Sequence, residues 1–178
     1  MGDRNRGGRG ARFPKTHGYA RGAGGGPPDI RRTFVKPAGR TAAGFSGGEY
    51  MSHVLIVDDS EDIRLALQTI LEDAGYEIKE LSDGTEVLGA LQTDPPDLVL
   101  LDVAMPVKDG FETLKEIIAD EQTRDIPVIM VTAKGRTEDL SRARALGARD
   151  YINKPWEDGE VELRVGWVLQ AQELRVAS

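Results

Sequence analysis

From position 53 onward, short apolar runs alternate with longer stretches in which apolar residues recur every three or four positions. The helical spacing of the longer stretches predicts one helix after each run. Strands that alternate with helices in this way are typical of βα units and of a parallel sheet. The short runs themselves predict five strands, at 53–57, 76–81, 97–101, 126–131 and 150–153.

The apolar content of each predicted strand indicates its place in the sheet. Runs 53–57, 97–101 and 126–131 are apolar almost throughout, as expected of strands that helices cover on both faces. Run 76–81 alternates polar and apolar residues, which favours a position nearer an edge. We therefore predict an α/β fold with a doubly wound, five-stranded parallel sheet of the (βα)5 kind, formed by one domain over residues 53–178.

Local signals predict where several helices begin and end. Ser60 is a suitable N-cap for the first helix, and Gly75 is a suitable residue to end it. Asp109 and Glu112 have the spacing of a capping box at the start of the third helix. Gly147 is placed to end the fourth helix.

The N-terminal segment differs in composition from the rest of the chain. Residues 1–52 are rich in Gly and Arg and carry 10 Lys/Arg against 3 Asp/Glu, a net charge of +7. Residues 53–178 carry 13 against 27, a net charge of −14. Because residues 1–52 cannot bury enough apolar surface to offset the entropy of folding, we predict a disordered basic tail. An alternative stays open, since Met51 lies just two residues before the first strand: residues 1–50 are then an upstream extension translated from a misplaced start codon.

The composition excludes several classes of protein. The sequence has no cysteine, which excludes disulfides, cysteine metal sites and a cysteine nucleophile, and fits a reducing compartment. No apolar run approaches the roughly 20 residues that a membrane span needs. The N-terminus lacks the apolar core of a secretory signal. We therefore expect a cytoplasmic protein with no membrane partner.

Polar residues follow the predicted strands at the point where each strand stops. The first strand is followed by Asp58 and Asp59, the third by Asp102, the fourth by Thr132 and the fifth by Lys154. Taken singly, each has an ordinary explanation, such as a helix N-terminus or a solvated turn. Because ligand sites of doubly wound sheets lie beyond the carboxyl ends of the strands, we expect these side chains to converge.

Together these side chains point to phosphoryl chemistry. Three converging carboxylates repel one another strongly unless a cation neutralises them. No His or Cys stands nearby, and oxygen ligands suit a hard ion, so Mg²⁺ is the expected cofactor. A metal ion and an ammonium would offset the charge of a phosphoryl group, and the threonine hydroxyl would hydrogen-bond one of its oxygens.

Residues 53–175 resemble the receiver domain of response regulators of the chemotaxis CheY type. The resemblance lies in four motifs that occur in the same order and at the same strand ends: VLIVDDSED, VLLDVAMPVKDG, IMVTAKG and DYINKPW. It implies the flavodoxin-like strand order 2-1-3-4-5. It also implies a part in two-component signalling.

The resemblance implies a role for each residue of the acidic cluster. Asp102 is the expected phosphoacceptor. Asp59 is expected to ligate Mg²⁺ directly, with Asp58 assisting. The carboxylate of Asp102 and the backbone carbonyl of Ala104 would complete the protein ligands of the metal ion.

Three further residues take roles in the response to phosphorylation. The resemblance implies that Thr132 bonds a phosphoryl oxygen and that Lys154 pairs with the carboxylate or the phosphate. Tyr151 is expected to swing inward when Thr132 moves toward the phosphate. That movement would change the surface formed by the fourth helix, the fifth strand and the fifth helix.

The expected function is that of a stand-alone response regulator. A histidine kinase or phosphotransfer protein would supply the phosphoryl group, and an unidentified protein target would read the changed surface. No nucleic acid partner is expected for the folded domain, and dimerisation on phosphorylation stays open. We do not expect an enzyme: the chain would at most catalyse its own phosphorylation and dephosphorylation. Two alternatives remain: a phosphate-independent binding module, and a receiver tethered to nucleic acid by its basic tail.

The last predicted helix carries a second set of apolar residues. Trp167 lies four residues after Leu163 and seven before Leu174, so the three share one helical stripe. The spacing favours packing of Trp167 in the core or in a dimer contact over a surface that binds another protein.

Overall fold

A computed structural model of the chain describes residues 51–133 and 137–176. Its five strands are all parallel and follow the order β2-β1-β3-β4-β5, which confirms the predicted fold class and topology. The strands are β1 (His53–Val57), β2 (Glu77–Leu81), β3 (Leu98–Asp102), β4 (Val128–Ala133) and β5 (Asp150–Lys154). The helices are α1 (Glu61–Asp73), α2 (Val87–Thr93), α3 (Gly110–Ala119), α4 (Thr137–Leu146) and α5 (Glu160–Val176).

The predicted basic tail falls outside the part of the chain that the structure describes. Residues 1–50 of the basic segment lie outside the described residues, so its two alternative explanations both stay predictions. Within the described ranges, no helix is both long enough and apolar enough to cross a membrane.

Helices cover the sheet on both faces, as the apolar strands predicted. On one face, α2, α3 and α4 contribute to a buried cluster with side chains from β1, β3 and β4. On the other face, α1 and α5 pack on alternate residues of the same strands and on Ile152 of β5. All five residues of β3 are buried, including Asp102. The central strand is thus held from both sides, and its last residue is fixed with it.

The predicted helix ends are confirmed, with one difference in detail. Gly75 has a φ of +90°, and the N–H groups of Gly75 and Tyr76 donate to carbonyls of the last turn of α1. Asp109 and Glu112 form the predicted capping box of α3. Ser60 occupies the N-cap of α1, but its side chain does not cap the helix, and its N–H donates to Asp58 Oδ1 at 2.9 Å.

The loop between β3 and α3 contains a γ-turn. The N–H of Lys108 donates to the carbonyl of Pro106 at 2.7 Å, and the central residue, Val107, has a φ of +67°. A β-branched residue rarely adopts this left-handed conformation, so the backbone is strained here. The Val107 side chain is 86% exposed, and burial of that side chain therefore does not offset the strain.

The structure contradicts core packing for Trp167. The side chain of Trp167 is 57% exposed, and that of Leu174 on the same stripe is 68% exposed. The residues of α5 that enter the core form a different stripe, at spacing of four, listed as Val161, Val165 and Leu169. The alternative of a dimer contact for Trp167 stays a prediction.

Candidate functional site

Three carboxylates lie together beyond the carboxyl ends of β1 and β3. One carboxylate oxygen from each of Asp58, Asp59 and Asp102 lies within 4.8 Å of the others. Asp58 and Asp102 are buried, and Asp59 is exposed at the mouth of the site. Parallel pairing of β1 with β3 sets this arrangement, because it brings the ends of the two neighbouring strands to one edge.

Lys154 reaches this cluster from the end of β5. Its Nζ donates to Oδ2 of Asp58 at 2.6 Å and to Oδ1 of Asp102 at 2.6 Å. The ammonium lies between the two buried carboxylates and offsets part of their charge. The structure therefore brings together Asp58, Asp59, Asp102 and Lys154, as their positions at the strand ends predicted.

Burial and charge shift the ionisation of both partners of this pair. Burial raises the pKa of the Asp102 carboxyl above its ordinary value, and the hydrogen bond and charge of Lys154 offset only part of that effect. Burial opposes the charge on Lys154, but its hydrogen bonds to Asp102 and Asp58 outweigh burial and raise the pKa of the ammonium. Lys154 therefore stays a cation throughout the physiological range.

Main-chain and arginine hydrogen bonds fix the two buried acidic residues. The N–H of Ala104 donates to Oδ2 of Asp102 at 3.0 Å, so each carboxylate oxygen of Asp102 has a donor. Directly after β1, the backbone carbonyl of Asp58 accepts from Nη1 of Arg64, on α1, at 2.8 Å. The predicted nucleophile thus has a defined orientation before any ligand binds.

A glycine allows α3 to begin against the end of β3. A Cβ on Gly110 would lie 2.0 Å from the backbone carbonyl oxygen of Asp102, which no side chain can occupy. The N–H of Gly110 donates to the carbonyl of Val103 at 3.0 Å. The sequence analysis missed this role, although the glycine directly follows the capping residue Asp109.

The hydroxyl of Thr132 is buried without a hydrogen-bond partner among the described residues. The side chain is 3% exposed, and its Oγ1 lies on β4, next to β3 in the sheet. A buried hydroxyl without a partner costs free energy in the folded state. Such a group at the carboxyl edge of a sheet is suited to donate to a ligand oxygen.

Tyr151 lies away from the carboxylates, three residues before Lys154 on β5. Its ring is half-buried and packs against the cluster formed by α2, α3 and α4. The guanidinium carbon of Arg164, on α5, lies 5.5 Å from the centre of this ring. The sequence analysis did not single out Arg164, because a charged residue on an amphipathic helix is ordinarily solvated.

The side chains present fit a magnesium ion. Three carboxylates against one ammonium leave excess negative charge, and all the available ligands are hard oxygens. Two of the three carboxylates are buried, where an unneutralised charge is costly. The predicted contribution of the Ala104 carbonyl stays a prediction.

A doubly wound parallel sheet with an acidic pocket, a lysine and a threonine at its carboxyl edge defines an α/β domain suited to phosphoryl transfer. A family model for the response regulator receiver domain matches residues 54–165. The chain belongs to this family, and it is therefore a receiver domain of two-component systems.

Named relatives support the assignment. The chain is 40% identical over 125 residues to the alkaline phosphatase synthesis transcriptional regulatory protein PhoP of Bacillus subtilis, a match that covers 70% of this chain and 51% of that protein. It is 40% identical over 119 residues to the response regulator SaeR of Staphylococcus aureus, with coverage of 67% and 51%. The chain thus spans about half the length of these relatives.

Two solved structures share the fold over nearly their full length. A putative response regulator from Chloroflexus aurantiacus superimposes with a TM-score of 0.66 at 32% identity, covering 68% of this chain and 99% of the other. The chemotaxis protein CheY4 of Vibrio cholerae does so with a TM-score of 0.61 at 35% identity, covering 67% and 99%. The resemblance stated from the four motifs is confirmed.

Proposed function

We propose that Asp102 accepts a phosphoryl group from a phosphohistidine on a histidine kinase or a phosphotransfer protein. A carboxylate oxygen of Asp102 forms a bond to phosphorus while the bond from phosphorus to the donor nitrogen breaks, and that nitrogen keeps the electron pair. The observation that carries the proposal is the buried Asp102 side chain, held by Lys154 and by the Ala104 N–H beside two further carboxylates.

The residues around Asp102 have complementary roles in this proposal. Lys154 stabilises the negative charge that gathers on the phosphoryl oxygens. Thr132 donates to one of those oxygens, which gives its buried hydroxyl a partner. Asp58 and Asp59 hold Mg²⁺ with Asp102 and the carbonyl of Ala104, and the ion supplies further charge neutralisation when bound.

The proposed output is a change of the surface formed by α4, β5 and α5. Thr132 moves toward the phosphoryl group, and Tyr151 moves inward into the space that becomes available. β5 supports this proposal, since one five-residue strand carries Lys154 at the site and Tyr151 near the opposite end. A protein target then reads the altered surface.

Incubation with acetyl phosphate and Mg²⁺ tests the proposed reaction. We expect the intact mass of the wild-type protein to rise by one phosphoryl group, and Asp102→Asn to show no gain because it lacks the nucleophilic carboxylate. EDTA should abolish the gain in the wild type. Asp109→Asn is a matched control, since it changes an aspartate seven positions away that caps α3 and is outside the carboxylate cluster.

Two results would contradict the proposal. One is a wild-type protein that gains no phosphoryl group although it is folded by circular dichroism. The other is an Asp102→Asn variant that is modified as fully as the wild type, which would place the acceptor elsewhere.

A further inference from the structure

β5 lies at an edge of the sheet, and its two faces are packed against different helices. Ile152 belongs to the cluster on the α1 and α5 side, whereas Tyr151 packs against the cluster on the α2, α3 and α4 side. Arg164 belongs to α5, yet its guanidinium carbon is 5.5 Å from the centre of the Tyr151 ring. The Arg164 side chain therefore reaches past the open edge of the sheet to a ring on the opposite face.

The guanidinium of Arg164 is fixed by two acidic side chains. Its Nη1 donates to both carboxylate oxygens of Asp150, at 2.9 and 3.1 Å, and its Nε donates to Oε1 of Glu160 at 2.9 Å. The side chains of Arg164, Asp150 and Glu160 are 27%, 23% and 20% exposed, so water competes weakly for these bonds. Burial opposes the charge on Arg164, but the two carboxylates outweigh burial and raise the pKa of the guanidinium.

The carboxylate of Asp150 also holds the backbone of Tyr151. Oδ1 of Asp150 accepts from the N–H of Tyr151 at 2.8 Å and from Nη1 of Arg164. The backbone N–H of Tyr151 and the guanidinium beside its ring thus share one acceptor. Because three hydrogen bonds hold the guanidinium in place, it cannot follow the ring if the ring moves away.

We propose that Arg164 is a positioning residue that holds the Tyr151 ring in its place in the unphosphorylated protein. This inference rests on the proposed function, in which Tyr151 moves when Asp102 is phosphorylated. The contact between a cation and an aromatic ring stabilises the unphosphorylated arrangement, and the movement of Tyr151 breaks it. Arg164 therefore sets how readily the domain adopts its phosphorylated form.

Binding of beryllofluoride, a phosphoryl mimic, in the presence of Mg²⁺ measures this effect. We expect Arg164→Met, which keeps an unbranched apolar side chain and removes the charge, to lower the Kd for beryllofluoride about two- to fivefold, the value of one partly exposed cation–π contact. Arg164→Lys keeps a cation but loses the guanidinium that bonds Asp150 through Nη1 and Glu160 through Nε, and it should give a smaller change. Calorimetric titration provides the Kd of each variant.

Two matched variants separate this role from general effects of charge or structure. Arg175→Met removes the same charge from an exposed position on the same helix, and its Kd should equal that of the wild type. In a Tyr151→Ala background, Arg164→Met should leave the Kd unchanged, because the residue acts through the ring. A structural role of Arg164 alone would alter the Kd in both backgrounds.

The outcomes distinguish the two proposals. If the wild type does not bind beryllofluoride, the proposed function fails and the role of Arg164 fails with it. If the wild type binds, but Arg164→Met and Arg164→Lys bind with the wild-type Kd, only the role of Arg164 is overturned. Equal effects of Arg164→Met with and without Tyr151 would also overturn it. Thermal melts identify any variant that fails to fold. If Arg164→Met does not fold, the Kd of Arg164→Lys decides whether Arg164 has the proposed role.

Discussion

Thr132 and Thr123 are both buried threonines, but their hydroxyls have opposite surroundings. Oγ1 of Thr123 donates to the carbonyl of Ile117 at 2.9 Å, and the side chain is 0% exposed. Oγ1 of Thr132 has no partner among the residues that the structure describes. The difference provides a test of whether the Thr132 hydroxyl is reserved for a ligand.

We expect Thr132→Val to raise the free energy of unfolding by about 1 kcal/mol, because it removes a buried hydroxyl that has no partner within the described ranges. The matched change Thr123→Val should lower it by about 1 kcal/mol, because it leaves a buried carbonyl without its donor. Urea unfolding of both variants without Mg²⁺ measures the two values.

The proposed function adds a second readout to this pair. Thr132→Val should slow phosphorylation by acetyl phosphate, whereas Thr123→Val should accept the group at the wild-type rate. A loss of stability in Thr132→Val as large as that in Thr123→Val would contradict the assignment, since the Thr132 hydroxyl would then have a partner in the folded protein.

The sequence predicted some residues of the site and not others for a clear physical reason. Asp102 and Lys154 are the last residues of β3 and β5, and Asp58 directly follows β1; parallel strands bring such ends together whatever the surrounding contacts are. The contact of Arg164 with Tyr151 depends on how α5 lies along the sheet edge, which no local pattern encodes. Whether the Thr132 hydroxyl finds a partner likewise depends on which donors and acceptors the fold places around it.

Two helix glycines, Gly110 and Gly89, differ in whether the surrounding residues leave room for a Cβ atom. A Cβ on Gly110, the first residue of α3, would lie 2.0 Å from the Asp102 carbonyl oxygen. A Cβ on Gly89, inside α2, would have no neighbour within 4 Å. The same substitution by alanine should therefore have opposite effects in the two helices.

We expect Gly110→Ala to lower the free energy of unfolding by about 1–3 kcal/mol or more, because α3 or the end of β3 must shift. The shift should also displace Asp102 and weaken Mg²⁺ binding. Gly89→Ala should raise the free energy of unfolding by about 0.5–1 kcal/mol, since alanine favours a helix over the unfolded chain. Urea unfolding measures the two free energies, and a Mg²⁺ titration measures the metal affinity. An unchanged Mg²⁺ affinity in Gly110→Ala would contradict the role of Gly110 in positioning Asp102.

The sequence predicted the bounds of the strands to within a few residues. It predicted less well which face of a helix is buried. The strand predicted at 126–131 begins at Val128 in the structure, because the N–H of Ile126 donates to the carbonyl of Thr123 and Pro127 has no N–H to donate. On α5, two apolar stripes compete for the core. The stripe with Val165 is buried, and the stripe with Trp167 is not, because the side of α5 that carries Val165 packs against the sheet.

At the scale of the whole molecule, the buried acidic pocket links stability to pH. Burial raises the pKa of Asp102 above the ordinary value of 3.8, so the folded protein binds a proton at this carboxyl more readily than the unfolded chain does. The stability that this group contributes is fully present below the unfolded pKa. It is lost as the pH rises through the folded pKa, which makes the ionised carboxylate a cost at pH 7.

We therefore expect Asp102→Asn to have a higher free energy of unfolding than the wild type at pH 7 in EDTA, since Lys154 keeps Asp58 as its partner. The advantage should shrink as the pH falls toward 4 and vanish below it. Urea unfolding across this pH range measures the difference. Asp125→Asn, at an exposed aspartate, serves as the control, and an equal pH dependence of the two variants would contradict the effect of burial.

Lys154 bonds two partners that are distant in the chain, 96 residues away at Asp58 and 52 at Asp102. Closing loops of these lengths costs more conformational entropy than forming the local helices does. A nascent chain that has emerged only as far as β4 presents the two carboxylates without their ammonium. The pocket acquires its counter-charge when β5 docks, so the order of synthesis on the ribosome also sets the moment at which the site is complete.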